Sequence, residues 1–487
     1  MCGALLTGLA LSSCNEKSDS SYLNPQNLAV TEFSLKADLN NPGLDSVYFS
    51  IDLAHGVIFN ADSLRKGTDV TKVIPLISFS NTPSEATIIM TGGKVREGEV
   101  DFKKNPTDSI DFSGNVQLRV KADDGEIGMT YTIKVNVHQV ETDSIFWDEV
   151  SYTGLATRLQ NPREMKTVEV DGSAVSLVEE NDGTYSRINY DSMQDMKATA
   201  TAVTLPFTPQ IHSLCYADAN MWILDNDGNL WKGNSDFTQW QQTGETWTAL
   251  IGTYNESVVG LKNSGGTIVF SQYPEINLNE KAIPSDFPLS GFSNFETLTN
   301  KWTSSPVAFF SGGKEADGTL SDSTWAFDGA EWIRLSSGGI PALEGATLIP
   351  YYHFRPSADG TSMIEYKVWL LLGGRETEGT FNRDLYISYD NGVNWTLGTS
   401  RMQLPETIPS MYYCNSLVID IEKEADLSAG WTKAYQSPRR IDFSVNGDII
   451  TWGCPYIYLF GGYSEQGKLN TQIWRGVLGR LTFTPII

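Results

Sequence analysis

Residues 307–313 read Val-Ala-Phe-Phe-Ser-Gly-Gly, an apolar run that ends in two adjacent glycines. The pattern returns where Val368–Leu372 precedes Gly373–Gly374, and again where Tyr456–Phe460 precedes Gly461–Gly462. In each case an aromatic residue follows twelve positions after the second glycine, namely Trp325, Tyr386 and Trp474. Three occurrences in one register indicate a structural unit that is used repeatedly.

Three earlier stretches show a weaker form of the same unit. They are Val175–Val178 before Asn181-Asp182-Gly183, Met221–Leu224 before Asp225-Asn226-Asp227-Gly228, and Ser257–Leu261 before Gly265-Gly266. Counting them gives six units of roughly 57 residues each, with seven as the alternative. Short apolar runs between Gly, Asn and Asp turns favour an all-β chain. The unit resembles the kelch-type blade of a β-propeller, which we expect over residues 143–487.

A second aromatic residue follows the first in several units. Trp240 follows Trp231 by nine residues, Trp395 follows Tyr386 by nine, Phe483 follows Trp474 by nine, and Trp332 follows Trp325 by seven. We expect these rings to pack between wedge-shaped blades. The stretch 388–395 (Ser-Tyr-Asp-Asn-Gly-Val-Asn-Trp) also matches the Asp-box pattern S-x-D-x-G-x-x-W, a structural β-turn motif of sialidases and other propellers. It supports the fold and indicates no sialidase activity.

The region before the propeller has a different composition. All thirteen tryptophans lie at or beyond Trp147. Apolar and polar residues alternate over 47–53, 116–121 and 131–138, as half-buried strands require. The sequence therefore predicts an immunoglobulin-like (Ig-like) β-sandwich of perhaps seven strands over residues 34–142.

The N-terminus resembles that of a bacterial lipoprotein. An apolar stretch, Ala4–Leu11, leads into Leu11-Ser12-Ser13-Cys14, which is similar to a lipobox, although residues 1–3 carry no Lys or Arg. The resemblance implies a signal peptide over residues 1–13, acylation at Cys14 as the membrane anchor, and a polar tether over 14–33. The alternative is an apolar N-terminal strand with a buried cysteine. The first interpretation predicts an outer-membrane lipoprotein of the bacterial cell envelope, periplasmic or surface-exposed.

Charge and cysteine content exclude other classes. The formal net charge of −24 argues against a nucleic-acid partner. No other run of 18 apolar residues occurs, so no transmembrane helix is predicted. Cys215, Cys414 and Cys454 are too few for a disulfide scaffold; Cys414 could pair with Cys454, but buried free thiols are favoured. A monomer is expected.

The sequence offers no catalytic constellation. His55, His138, His212 and His353 are not at metal-ligand spacing, and each is expected to be a surface or strand histidine. Phosphate loops, nucleophile elbows and dinucleotide fingerprints are absent. Arg355, Arg375 and Arg383 lie near one another in the sequence, but the sequence does not place all three around one opening of the propeller. We therefore predict no catalytic residue, no metal and no cofactor.

The loops after the Gly-Gly strands are the expected ligand-binding rim. They contribute the candidates Lys314, Glu315, Arg375, Glu376, Arg383, Tyr463 and Glu465. An Arg–Glu pair beside an aromatic ring suits sugar hydroxyls and carboxylates, although ordinary solvated loop charges would look the same.

As a whole the chain resembles a family of exported lipoproteins that join an Ig-like domain to a kelch-like propeller, and that family is defined only as a domain of unknown function. We interpret the chain as a non-enzymatic binding module for a glycan or a protein. The alternatives are a carbohydrate-active enzyme similar to sialic-acid mutarotases, and a structural subunit of an outer-membrane assembly.

Overall fold

Two units divide the chain, Met1–Gln139 and Val140–Ile487. The computed structural model describes residues 28–39, 41–60, 63–122, 127–137, 142–150, 159, 161–274, 280–299, 306–356, 363–426, 443–446 and 449–479. Cys14, the predicted signal peptide, His138 and Phe483 lie outside these residues.

The N-terminal unit is built from eight strands within its described residues. They are β1 (Val30–Leu35), β2 (Ser50–Asp52), β3 (Val57–Phe59), β4 (Pro75–Phe79), β5 (Glu85–Thr91), β6 (Gly98–Asp101), β7 (Asn115–Lys121) and β8 (Ile127–Lys134), with a 3-10 helix at Leu44–Ser46. One sheet has the order β2-β3-β8-β7-β5-β6, and β1 pairs with β4 in a second sheet. β1 therefore begins within the stretch predicted as tether.

A single apolar core lies inside this unit. The alternation predicted around β7 is present, because Val116, Leu118 and Val120 are fully buried while the residues between them are not. The alternation predicted over 47–53 is only partly realised. The strand there is confined to Ser50–Asp52, and Leu53 is exposed because a turn follows at once.

The C-terminal unit is all-β apart from a 3-10 helix at Ile211–Ser213, within its described residues. Its strands in the first half are β9 (Ile145–Val150), β10 (Pro162–Val170), β11 (Ser173–Glu180), β12 (Tyr185–Ser192), β13 (Lys197–Val203), β14 (Cys215–Ala217), β15 (Asn220–Leu224), β16 (Asn229–Gly233), β17 (Trp240–Thr246), β18 (Ala249–Tyr254), β19 (Ser257–Ser264), β20 (Thr267–Tyr273) and β21 (Lys281–Ala282). Those in the second half are β22 (Glu296–Thr299), β23 (Pro306–Ser311), β24 (Ser323–Phe327), β25 (Trp332–Ser337), β26 (Thr347–Pro356), β27 (Met363–Leu372), β28 (Tyr386–Ser388), β29 (Thr396–Leu397), β30 (Tyr412–Asp426), β31 (Phe443–Asn446), β32 (Ile449–Tyr463) and β33 (Ile473–Leu478).

These strands form the six blades of a β-propeller, the blade number that the sequence favoured. Blades 1 to 5 are the antiparallel sheets β10–β13, β14–β17, β18–β21, β22–β25 and β26–β29. Blade 6 has the order β30-β32-β33-β9, with β31 attached to β32. Its outermost strand therefore comes from the start of the unit, which closes the ring, and the sequence did not predict this closure.

Six apolar cores separate the blades, one between each neighbouring pair. The second strand of each blade supplies side chains to two of them. In β23, for example, Phe310 packs in the core towards blade 3 and Phe309 packs in the core towards blade 5. Burial on both faces explains why the second strands read as continuous apolar runs rather than as alternating patterns.

The repeated aromatic residues lie in these cores, as expected. Trp325 and Trp474 are buried on the third strands of their blades. Within residues 388–395, the Ser388 Oγ accepts from the Gly392 N–H at 2.9 Å and the Asp390 carboxylate accepts from the Asn394 N–H at 2.8 Å. The Trp395 Nε1–H donates to Thr324 Oγ1 of blade 4 at 2.9 Å, so this turn is fixed to the neighbouring blade.

The three cysteines of the propeller are free thiols. Cys414 and Cys454 lie on the paired strands β30 and β32, but Cys414 is opposite Gly461 and Cys454 is opposite Ile421. They are thus in the same blade and far apart along it. Among the described residues, no helix is long and apolar enough to cross a membrane.

Candidate functional site

Three consecutive blades present their Gly-Gly loops in the same way. The residue after the second glycine pairs with the segment that leads into the first strand of its own blade. The pairs are Lys314 with Ser290 in blade 4, Arg375 with Glu344 in blade 5, and Tyr463 with Tyr412 in blade 6. First strands surround the channel of a propeller; here Asn294, just before β22 of blade 4, reaches Ser416 on β30 of blade 6 at 3.4 Å. The six paired residues therefore lie at one end of the channel.

A chain of backbone hydrogen bonds joins these segments. The Gly345 N–H donates to the Gly291 carbonyl at 2.7 Å, and the Tyr413 N–H donates to the Gly345 carbonyl at 2.7 Å. All three residues have positive φ: 66° at Gly291, 65° at Gly345 and 55° at Tyr413. The corresponding residues of blades 4 and 5 are glycines, which adopt this left-handed conformation easily, whereas Tyr413 is strained in it. Such strain tends to occur at functional sites.

Glu344 is the central carboxylate of this end of the channel. It is 7% exposed. Its Oε2 accepts from Arg375 Nη2 at 2.5 Å, its Oε1 accepts from the Tyr413 hydroxyl at 3.1 Å, and the Lys314 Nζ lies 3.7 Å from Oε1. Burial raises the pKa of Glu344, but the Arg375 hydrogen bond and the two positive charges outweigh it, so the pKa is lowered overall. The carboxylate is therefore ionised at neutral pH.

Aromatic rings surround this ionic cluster. The Arg375 guanidinium lies over the Tyr412 ring at 5.1 Å, and the Tyr412 ring lies 5.5 Å from that of Tyr463. The Phe381 ring lies 5.5 Å from Tyr412 on the other side. All of these side chains are half-buried. We call the group formed by Lys314, Glu344, Arg375, Tyr412, Tyr413, Tyr463 and His212 the channel mouth.

His212 reaches the channel mouth from the 3-10 helix between blades 1 and 2. Its Nε2 lies 3.0 Å from the Tyr463 hydroxyl, and its ring stacks on Tyr413 at 5.2 Å. Burial and the Lys166 ammonium lower the pKa of His212 to about 4, so the imidazole is neutral at physiological pH. The sequence had suggested a surface or strand histidine. His212 instead lies in a 3-10 helix and is half-buried. Burial also raises the pKa values of Tyr413 and Tyr463, which stay protonated.

Charged groups also line the channel below its mouth. Lys166 on β10 and Glu296 on β22 belong to blades 1 and 4, which face each other across a six-bladed ring. Burial lowers the pKa of Lys166 and raises that of Glu296 to about 7. Asn294 bonds both the Glu296 carboxyl and the Leu348 backbone, so the carboxyl is tied to blade 5.

The structure brings three of the seven candidate residues together, namely Lys314, Arg375 and Tyr463. Glu315 and Glu376 instead close the hairpins of their own loops, where their N–H groups donate to Thr319 and Thr380. Arg383 is exposed and holds the segment 405–410, since its guanidinium donates to Ser410 Oγ and to the Pro405 and Ile408 carbonyls. Glu465 is exposed on its loop.

The Arg–Glu pair in the structure is therefore not the one that adjacency in the sequence suggested. Arg375 pairs with Glu344, which is 31 positions earlier, and not with its neighbour Glu376. Sequence reasoning missed Glu344, Tyr412, Tyr413 and His212. The dipeptides Ser290-Gly291 and Glu344-Gly345 could have indicated these segments. The repeat is hard to recognise because the number of residues to the following Gly-Gly differs between blades. The side chains of His353 and Arg355 lie outside those described.

No metal centre is found among the described residues, since no three His, Cys, Asp or Glu side chains are placed to share an ion. The channel mouth can offer cations, ring faces, hydroxyl donors and one carboxylate. These are the groups that bind polar small molecules.

Comparison with known proteins identifies both units. The model of the "DUF6242 beta propeller domain" matches residues 141–486, and that of the "Domain of unknown function (DUF6242) N-terminal domain" matches residues 20–135. No curated protein sequence matches the chain.

Several solved structures are similar to this chain at low identity. A six-bladed lectin from the fungus Aleuria aurantia is 12% identical, with 66% of this chain and 96% of the lectin covered at a TM-score of 0.33. SapL1 lectin in complex with alpha methyl fucoside is 10% identical, with 61% and 97% covered at 0.32. An auxiliary nutrient binding protein from Bacteroides ovatus is 10% identical, with 85% and 95% covered at 0.33. Similarity at this level does not indicate a ligand.

Proposed function

We propose that this chain, which belongs to the DUF6242 family, is a binding protein of the bacterial cell envelope whose propeller holds a glycan at the channel mouth. The observation that carries the proposal is the convergence of half-buried tyrosine rings with Arg375, Lys314 and Glu344 at one end of the channel. Flat ring faces pack against the C–H faces of sugars, and charged donors and acceptors bind hydroxyl groups strongly.

Several features favour a small polar ligand over a protein surface. The channel mouth combines the start of β30 and the end of β32 with residues directly after the Gly-Gly turns and a 3-10 helix, whereas the outer parts of the same loops, such as Glu465, are exposed hairpins. Its backbone is tied together by the hydrogen bonds between Gly291, Gly345 and Tyr413. A site held by rigid elements loses little conformational entropy when a ligand binds.

The proposal includes the membrane anchor. The lipobox-like Leu11-Ser12-Ser13-Cys14 would place an acylated Cys14 at the start of the mature chain. The N-terminal unit, which we take to be Ig-like, would act as a spacer, and the propeller, which we take to be of the kelch type, would present the site. Growth with radiolabelled palmitate tests the anchor: label is expected in the protein and is expected to be lost in Cys14→Ser.

Glycan binding is tested with the full chain on an array of neutral and acidic oligosaccharides, followed by calorimetry. We expect Tyr412→Leu, which removes the ring beneath Arg375, to weaken binding by about tenfold or more. Glu465→Gln on the exposed loop serves as the matched control and should bind normally. Equal binding by both variants, or no glycan bound at all, would contradict the proposal.

One observation favours the alternative that the protein is an enzyme. Tyr413 is strained, is kept protonated by burial and by Glu344, and donates to that carboxylate. A proton donor beside an ionised carboxylate is a combination that acid–base catalysis uses. Any glycan that binds should therefore be followed by NMR for anomeric exchange or cleavage. Turnover that is lost in Tyr413→Phe would replace the binding-module proposal with an enzyme.

A further inference from the structure

The channel mouth has more positive than negative charge on the side of blades 4 and 5. Two cations, Lys314 and Arg375, share the single carboxylate of Glu344. This leaves one positive charge in a chain whose formal net charge is −24. On the opposite side, near Tyr463 and His212, the Arg163–Glu179 ion pair is balanced, and the half-buried carboxylate of Glu164 is matched by the Lys166 ammonium. The excess of positive charge therefore lies on the side of blades 4 and 5, which we call the cationic edge.

The cationic edge is also the accessible one. The side chains of Lys314 and Arg375 are each 37% exposed, whereas that of Glu344 is 10% exposed and lies beneath them. An ammonium has three N–H donors and a guanidinium has five. Within the described part of the chain, only the bond from Arg375 Nη2 to Glu344 uses one of these donors at hydrogen-bond distance. The remaining donors are available to a ligand that carries its own negative charge.

The aromatic surface next to these donors restricts the kind of anion. The rings of Tyr412 and Tyr463 lie 5.5 Å apart at an interplanar angle of 52°, with Arg375 over Tyr412, and both are only half-buried, so they give the site an apolar border. A sugar ring stacked there would place a carboxylate substituent against Arg375 and Lys314. Its hydroxyl groups would then face the rest of the channel mouth. A free phosphate or a simple carboxylate would leave the aromatic face uncovered.

We propose that the channel mouth selects hexuronic-acid saccharides, with the ring carboxylate held between Lys314 and Arg375 and the sugar ring on Tyr412 and Tyr463. This inference rests on the proposed glycan-binding function and narrows its ligand class. Lys314 and Arg375 determine the specificity, and Glu344 holds both cations in place and competes with the ligand for them.

The test uses calorimetry on the full chain at neutral pH and moderate salt. The probes are a galacturonic-acid trimer and a glucuronic-acid-containing hexasaccharide, each paired with its carboxyl-reduced neutral counterpart. We expect at least one uronate to bind about tenfold or more tightly than its reduced counterpart. Raising the salt concentration should reduce this ratio.

Variants locate the effect. Lys314→Met and Arg375→Met combined with Glu344→Gln remove both cations without leaving a buried carboxylate unpaired, and this triple variant should abolish the preference for the uronate. Glu344→Gln alone frees both cations and should tighten uronate binding several-fold. Glu376→Gln carries the same charge change on the same loop, outside the channel mouth, and should leave affinity unchanged. Circular dichroism melts establish that each variant is folded.

The outcomes separate the two proposals. Equal binding of the uronates and their reduced counterparts would overturn the uronate inference and leave glycan binding intact. A uronate preference that survives the triple variant would overturn the site. Binding of peptides with a free C-terminal carboxylate, but of no saccharide, would overturn both proposals in favour of a protein ligand.

Discussion

Blades 1–3 and blades 4–6 connect their second and third strands in different ways. In blades 1 and 2 an Asp side chain bonds back to its own turn, as Asp182 does to Thr184 and Asp225 does to Asn229. In blades 4 and 5 the amide of the second glycine donates to the segment that enters the next blade. Gly313 donates to the Leu343 carbonyl, and Gly374 donates to that of Met411.

The difference shows why the candidate site lies where it does. The Asp-capped turn of blade 2 also bonds to the next blade, since the Trp247 N–H donates to the Gly228 carbonyl at 2.8 Å, but the turns of blades 1 and 2 add no side chain to the channel mouth. Where the second glycine bonds to the next blade, the residue that follows it pairs with the segment before the first strand of its own blade. Lys314 and Arg375 do this. The bond to the next blade requires close backbone contact, which leaves room only for glycine.

The largest effect is expected from Gly373→Ala. Gly373 has a φ of 67°, and an added Cβ would lie 2.5 Å from the Met411 carbonyl oxygen. Left-handed strain and this clash together should lower the free energy of unfolding by about 3–4 kcal/mol. Urea unfolding followed by tryptophan fluorescence measures it.

Gly265→Ala in blade 3 is the matched control. Gly265 has a φ of 61°, but an added Cβ would have no neighbour within 4 Å. Only the strain of about 1 kcal/mol should remain. Equal losses in the two variants would show that the two halves do not differ in how tightly their turns are packed.

The second prediction concerns His212, which links blades 1 and 2 to blade 6. Its pKa is about 4 in the folded protein, against about 6.5 in an unfolded chain. Below pH 6.5 the unfolded chain takes up a proton that the folded protein does not, so stability falls as pH decreases towards 4. The full loss is about 3 kcal/mol.

His212→Gln isolates this contribution, because it removes the titrating group and keeps a donor for Tyr463. Lys166, Tyr413 and Tyr463 are the ionisable groups around His212, and all remain in the variant. The difference in unfolding free energy between the two proteins should vary between pH 7 and pH 4. A constant difference would mean that His212 is not buried as a neutral group.

The third prediction compares two turns of the first half. Asp225 is 6% exposed and accepts from Asn229, Asp227 and the Trp231 indole. Asp225→Ala would remove the acceptor of several part-buried donors and should cost about 2–3 kcal/mol. The exposed Asp182 bonds only to Thr184 among the described residues, so Asp182→Ala should cost about 0.5–1 kcal/mol. Thermal melts rank them, and glycan binding should be unchanged in both.

The smallest effect is expected on the outer rim of the second half. Glu465 and Glu376 lie on Gly-Gly loops but outside the channel mouth. Their replacement by Gln should change stability by less than about 0.5 kcal/mol and should not affect binding. A clear loss of binding in Glu465→Gln would move the site from the channel mouth to the rim.

Much of the architecture could be predicted because it depends on local pattern. Second strands buried on both faces produce continuous apolar runs, and positive φ at their ends requires glycine, so Gly312, Gly373 and Gly461 were visible in the sequence. The site was predicted in part. Lys314, Arg375 and Tyr463 directly follow that signal, whereas Glu344 and Tyr413 lie on segments whose distance from it differs in every blade.

The sequence by itself determined an all-β chain, a propeller of repeated blades, with six favoured over seven, and the residues that end their second strands. Each follows from the period of burial and from backbone sterics within one blade. Only the tertiary structure decided that β9 closes blade 6, that Arg375 pairs with Glu344 rather than with Glu376, and that His212 reaches Tyr463. These contacts join segments that come together only when the ring of blades closes, and no local periodicity encodes which segments will meet across a closed ring.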